Sequence, residues 1–258
     1  MHTSGAKRAT LTIFAAQALI DGRLVPARLC IEWGQIADVE IDPADTNADI
    51  TLPHGVLSPG FIDLQINGFG GVDFAAATAA DWAKTRNRLA QRGVTALVPT
   101  ITTAALQKQL EAVDAAMVAN SQIDEEPIAR VLGFHLEGPF LSPKFRGAHP
   151  ENELLQPSAV DTSRLVENPH VRMVTLAPEL PGAIELTRQL RAAGKIVSIG
   201  HTAATAEEAR AGVDAGASMV THLFNAQTPL SHRMPGVVGV ALTDNRLTSG
   251  IILDGIHV

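Results

Sequence analysis

Apolar and polar positions along the chain change their rhythm once. Over 10–20, 24–33 and 35–41 they alternate in short runs, broken by Asp21-Gly22 and Gly34, the residue types that hairpin turns need. This predicts a small N-terminal β-subdomain, part of a β-sandwich, over residues 1–56. Past Ser58-Pro59-Gly60, short apolar or β-branched runs at 61–66, 94–99, 129–136, 171–176, 196–200, 218–223 and 249–253 read as strands. Between them, Ala-rich stretches at helical spacing predict helices over 79–92, 104–119, 183–193 and 205–215. Gly93, Gly194 and Gly216 stand at three of the stops.

Strand and helix in alternation make an α/β domain with a parallel sheet and helical crossovers. An open doubly wound sheet is one solution. Against it, no Gly-rich dinucleotide turn follows the first strand, and polar residues recur at strand ends: Gln65 and Asn67, Glu137, His201, His222, then Asp254 and His257. Side chains from many strand ends meet at one point only when the sheet closes. Residues 57–258 are therefore expected to form a (β/α)8 TIM-like barrel, of which seven strands can be counted. The seventh runs out just before Ile256-His257-Val258, and an eighth strand and helix are not found in the sequence.

Composition mainly excludes. The 258 residues are 46% hydrophobic and 18% charged, which supports a packed core rather than disorder. A net charge of −7 argues against nucleic acid or an anionic membrane as the main partner. One cysteine, Cys30, excludes an internal disulfide and any Cys-cluster zinc site. Lys7-Arg8 ahead of the apolar run over 9–16 imitates the start of a signal peptide, but Gln17 and Asp21 interrupt it and a strand fits better. No stretch reaches the ~18 apolar residues of a membrane span. A soluble, cytoplasmic protein is expected.

The chemistry gathers at strand ends. His201 and His222 each follow an apolar strand, one strand–helix unit apart, which in a barrel sets their imidazoles side by side at the rim. Glu137, ending the third strand, reaches the same place. Two imidazoles and a carboxylate suit Zn2+, Fe2+ or another divalent ion, with water completing the shell and acidified by the metal. His135, alternating with Glu137, reads as a hydrogen-bonded core histidine, and Thr100, Thr102 and Thr103 as supports. His2, His54 and His170 belong to no constellation.

These residues lie in longer strings: Ser58-Pro59-Gly60-Phe61-Ile62-Asp63-Leu64-Gln65-Ile66-Asn67-Gly68, Gly133-Phe134-His135-Leu136-Glu137-Gly138-Pro139-Phe140, Gly200-His201-Thr202, Thr221-His222-Leu223-Phe224-Asn225-Ala226 and Asp254-Gly255-Ile256-His257-Val258. Together they closely resemble N-acetylglucosamine-6-phosphate deacetylases of the amidohydrolase superfamily, in order and along most of the chain. The resemblance implies an amidohydrolase-type barrel and one metal ion on Glu137, His201 and His222. Many amidohydrolases hold a second metal with His-x-His on strand one. Here Gln65-Ile66-Asn67 stands there, and amides are poor zinc ligands beside imidazole.

The resemblance also implies that His149, in Gly147-Ala148-His149, contacts the substrate acetyl carbonyl and stabilises the developing oxyanion. Asn225 and Ala226 would meet the sugar phosphate through their main chain, and Arg233 would reach that phosphate across a homodimer interface. Asp254, Gly255 and His257 would form the substrate segment after strand seven. Two departures stand out. Met234 follows Arg233 where many relatives carry an acid, and the catalytic aspartate, borne in the family by the eighth strand, is not in this sequence. The implied reaction is deacetylation of N-acetylglucosamine 6-phosphate. The alternatives are another N-acyl sugar phosphate, a cyclic amide, or a non-catalytic truncated relative.

Overall fold

The computed structural model describes residues 10–123 and 129–258, so Lys7, Arg8 and His2 lie outside the described residues. The chain divides between Gly60 and Phe61 into two compact units. In the first, β1 (Thr10–Ile20), β2 (Arg23–Glu32) and β3 (Gln35–Ile41) form an antiparallel meander, and β4 (Ile50–Leu52) joins β1 in parallel. Both hairpin turns place their central pair at positive φ, Asp21-Gly22 at 48° and 75° and Trp33-Gly34 at 55° and 75°, which suits the twist of the flanking strands. Ala15, Ala18, Ala27 and Leu29 form a small core under this sheet.

The second unit repeats strand and helix. In order it runs β5 (Phe61–Ile66), a hairpin of β6 (Gly68–Phe69) and β7 (Val72–Asp73), α1 (Ala79–Ala90), β8 (Val94–Thr102), α2 (Leu106–Ser121), β9 (Arg130–Val131) and β10 (Phe134–Glu137). Then follow α3 (Ser163–Glu167), β11 (Val171–Leu176), α4 (Ala183–Ala192), β12 (Ile196–Ile199), α5 (Ala206–Asp214), β13 (Met219–Val220), α6 (Gly236–Ala241) and β14 (Thr248–Ser249). The strands pair in parallel in sequential order, β5-β8-β10-β11-β12-β13-β14, with β9 beside β8. One cavity is lined by Phe61–Gln65 from the first of these strands and by Thr248 and Ser249 from the last, so the sheet curls until its two ends face one space. Among the described residues those two ends are not paired with each other.

Local sequence explains the element ends. Thr78 and Thr205 each cap a helix through a reciprocal box, with Asp81 and Glu208 as partners. The core beneath α1 and α2 is aromatic: Trp82 stacks on Phe74 at 4.5 Å and meets Phe134 edge-on at 6.1 Å.

Three expected strands are broken or lose more than one residue. The run over 129–136 breaks into β9 and β10 because Gly133 sits at φ 127°, where a side chain would meet His170 O and Arg172. The run over 218–223 stops at Val220 because His222 turns to positive φ. The run over 249–253 loses strand geometry after Ser249. Gly250 still bonds Val220 O and accepts from Leu223 N, but among the described residues no strand lies on the far side of the next ones.

Candidate metal centre

Glu137 ends β10 with its side chain buried on the cavity wall. His201 and His222 follow β12 and β13 at φ 47° and 31°, left-handed turns that swing both rings back over the strand ends. The result is a triangle. His201 Nε2 and His222 Nε2 lie 3.3 and 3.2 Å from Glu137 Oε1 and 3.1 Å from each other. Ligand atoms about 2.0–2.2 Å from a tetrahedral zinc stand about 3.3–3.6 Å apart, so the triangle is within a few tenths of an ångström of that spacing.

The outer faces of the rings decide what the centre lacks. His201 Nδ1 lies 2.9 Å from Phe145 O, and His222 Nδ1 lies 3.1 Å from Asn225 O. A carbonyl only accepts, so each ring donates its Nδ1–H outward and a neutral ring turns a lone pair toward Glu137. Two lone pairs and a carboxylate oxygen then share one point, and positive charge has to reside there, as protons or as a metal ion. The donor set suits a divalent ion, and these are the three acid or imidazole groups that gather closely enough to hold one among the described residues. Burial pushes the Glu137 carboxyl up, but its contacts with His201 and His222 outweigh this and hold it well below the usual carboxylate range. Gln65 Nε2 donates to the same Oε1 at 2.7 Å. This gives the strand-one amide a task other than metal binding.

A fourth side chain completes the group. His149 packs edge-on against His201 with centroids 4.5 Å apart, and its Nε2 lies 3.9 Å from Glu137 Oε2. Its Nδ1 meets Thr103 Oγ1 at 2.7 Å. Burial, aided by His201 beside it, pulls its pKa down to about 4, so at neutral pH the ring carries one proton. Beneath these residues lies a polar floor. His135 reaches Thr100 (3.2 Å) and Thr175 (2.7 Å), and hydrogen bonds of 2.7 Å continue from Thr175 to Thr221 and from Thr221 to Ser198. Burial lowers the His135 pKa to about 4, so it stays a neutral member of this layer.

The remaining expected residues divide. Ala148 lines the 780 Å3 cavity together with Glu137, His149, His201 and His222. That volume falls in the ~300–1,000 Å3 range of small-molecule sites. Asn225 holds His222, and Ala226, at φ 52°, accepts from Thr202 N, tying together the loops that carry the two histidines. Arg233 is exposed on the loop before α6. Asp254, Gly255 and His257 are also exposed and do not line the cavity. The Asp254 carboxylate accepts from the backbone of Ile256 and His257 and from His257 Nδ1, at 2.9, 2.8 and 2.7 Å, which pulls it down to about 2. Sequence reasoning did not find the backbone oxygens of Phe145 and Asn225, since a carbonyl leaves no mark on residue type. Nor did it find Glu179, which accepts from Thr202 Oγ1 (2.5 Å) and Ala203 N (2.6 Å) and braces the loop behind His201.

Known proteins are similar to this chain along almost its whole length. Human N-acetylglucosamine-6-phosphate deacetylase is 40% identical over 92% of the chain, and N-acetylgalactosamine-6-phosphate deacetylase of Escherichia coli O157:H7 is 37% identical over 92%. The chain spans 58% and 62% of their lengths. The crystal structure of N-acetyl-D-glucosamine-6-phosphate deacetylase from Mycobacterium smegmatis superposes with a TM-score of 0.84 at 35% identity, covering 96% of this chain and 70% of that one. No protein-family model matches the chain. Identity at this level, carried through the fold that brings Glu137, His201 and His222 together, places the chain in the N-acetylglucosamine-6-phosphate deacetylase family.

Proposed function

We propose that this chain forms most of the active site of a hydrolase that cleaves the acetamide of N-acetylglucosamine 6-phosphate. Water adds across the C–N bond, releasing acetate and glucosamine 6-phosphate. The observation that carries this reading is the triangle of Glu137, His201 and His222, whose outward Nδ1–H donations leave the inner face ready for one divalent ion, with zinc the best match to the donors. When bound, such an ion supplies Lewis acidity, polarising an amide carbonyl and lowering the pKa of water.

The chain's own groups do the positioning. Gln65 fixes Glu137, while Phe145 O and Asn225 O fix the two imidazoles. His149 is assigned the acetyl carbonyl, whose developing negative charge a ring N–H would stabilise. Asn225 and Ala226 are assigned the sugar phosphate, and Asp254, Gly255 and His257, which do not line the cavity here, the substrate segment after the seventh barrel strand. Arg233, exposed on the loop before α6, is assigned to a phosphate held by a second copy, making the enzyme a homodimer. In the reaction the family resemblance implies, the proton for the leaving amine is given by an aspartate that is not among these 258 residues. We place the reaction in the cytoplasm, because a phosphorylated sugar does not cross a bilayer unaided. No helix among the described residues is long and apolar enough to cross a membrane.

The test is acetate release from N-acetylglucosamine 6-phosphate, its galactosamine epimer and unphosphorylated N-acetylglucosamine, with metal content measured on the same sample. Release from the first, lost with His222→Gln, is expected. Release from the epimer alone reassigns the sugar, and bound metal with no release from any of them removes the activity from this chain.

A further inference from the structure

Backbone strain in the second unit is concentrated. Among the described residues, positive φ outside glycine occurs there at His201 (47°), His222 (31°), Phe224 (78°) and Ala226 (52°), all in the two loops that follow β12 and β13. A left-handed turn at a residue with a side chain costs free energy and persists only where its surroundings hold it. One side chain grips the first of these loops from behind. Glu179 stands in the turn between β11 and α4, where Pro178 stiffens the backbone and Ala177 N donates to Phe140 O at 2.8 Å. Its carboxylate accepts from Thr202 Oγ1 at 2.5 Å and from Ala203 N at 2.6 Å, one oxygen for each. A carboxylate only accepts, so the Thr202 hydroxyl gives its proton to Glu179 and turns a lone pair to Ala204 N at 3.0 Å.

The grip reaches the second loop as well. Thr202 N donates to Ala226 O at 3.2 Å, and the carbonyl before it, Asn225 O, lies 3.1 Å from His222 Nδ1. Thr202 is fully buried, which keeps water from replacing its contacts. We propose that Glu179 is a positioning residue whose two hydrogen bonds hold the strained turns of both histidine loops, and that it thereby sets how tightly the centre takes up a divalent ion. The proposal deepens the function given above and rests on it for the ion. A turn released from Glu179 relaxes toward ordinary φ and carries its imidazole off the strand end. Because Thr202 ties the two loops together, His201 and His222 lose their places in the triangle jointly.

The test measures zinc affinity, by competition with a chromophoric chelator, on the 258-residue chain and its variants. Glu179→Ala is expected to bind zinc about 10–100-fold more weakly, the usual effect of losing a group that holds a ligand in place. Glu179→Gln keeps an acceptor for Ala203 N and is expected to recover most of that loss. Thr205→Ala, which weakens the start of α5 without touching these bonds, is expected to bind like the wild type. Unchanged affinity in Glu179→Ala overturns the proposal. So does an equal loss in Thr205→Ala, which would make the effect one of general stability, or a Glu179→Gln chain as weak as Glu179→Ala. Amide hydrogen exchange on the metal-free chains gives a second reading. Glu179→Ala should speed exchange at Thr202, Ala203 and Asn225 and leave β10 unchanged, and unaltered exchange at those three amides overturns the proposal. If Glu179→Ala does not fold, Thr202→Val removes one of the two bonds and is read in the same two ways. Exchange needs no ion, so a wild-type chain that takes up no zinc would remove the metal centre while exchange still decides whether Glu179 holds the loops.

Discussion

A carboxylate oxygen with imidazole nitrogens at 3.2 and 3.3 Å and an amide nitrogen at 2.7 Å is a crowded anchor, and only one of those neighbours is a fixed donor. His201→Gln and His222→Gln each leave two of the three ligand atoms. Each is expected to lose metal uptake, measured by elemental analysis after dialysis against zinc; retention of one ion per chain in both variants would remove the site. The residue types at this centre were legible in the sequence because each stands at the end of an apolar run. The tautomers of the two histidines were not, because they are set by Phe145 O and Asn225 O, backbone atoms invisible to composition.

At the scale of elements, helix starts read well because side chains mark them. Thr78 and Thr205 announce α1 and α5, each with an acid three residues on. Thr205→Ala is expected to cost about 1 kcal/mol, the usual worth of an N-cap. In urea this appears as a lower midpoint with an unchanged slope, and an unshifted midpoint would mean that tertiary packing alone holds α5. Strand ends read poorly. The run over 129–136 gave no warning that Gly133 would break it, and the run over 249–253 pairs through Ser249 and Gly250 on one side, with no strand on the other among the described residues. Pairing is a property of two segments, and hydrophobic rhythm describes one. The hairpins of the first unit read cleanly because Asp21-Gly22 and Gly34 encode their turns locally.

Across the whole molecule, the curled sheet holds its two ends apart and keeps a cavity between them, with the metal triangle on its wall. A ligand that binds the folded form alone raises stability by mass action. Free zinc at a hundred times its dissociation constant is therefore expected to stabilise the chain by about 2.7 kcal/mol. Thermal unfolding with zinc and with chelator measures this, and His222→Gln should erase the difference. An equal shift in that variant would place the stabilising ion elsewhere.

The polar floor beneath the site has a consequence for how the sheet is assembled. Thr100, His135, Thr175 and Ser198 come from four successive strands and Thr221 from the end of a fifth, joined in one hydrogen-bonded chain. A layer of aliphatic side chains is indifferent to a strand that slips by two residues, since one methyl replaces another. Here a slipped strand would bury hydroxyls and ring nitrogens without partners, at about 1–3 kcal/mol for each group. The floor thus acts as a key for strand register. It admits the single alignment in which Glu137, His201 and His222 arrive at the same height.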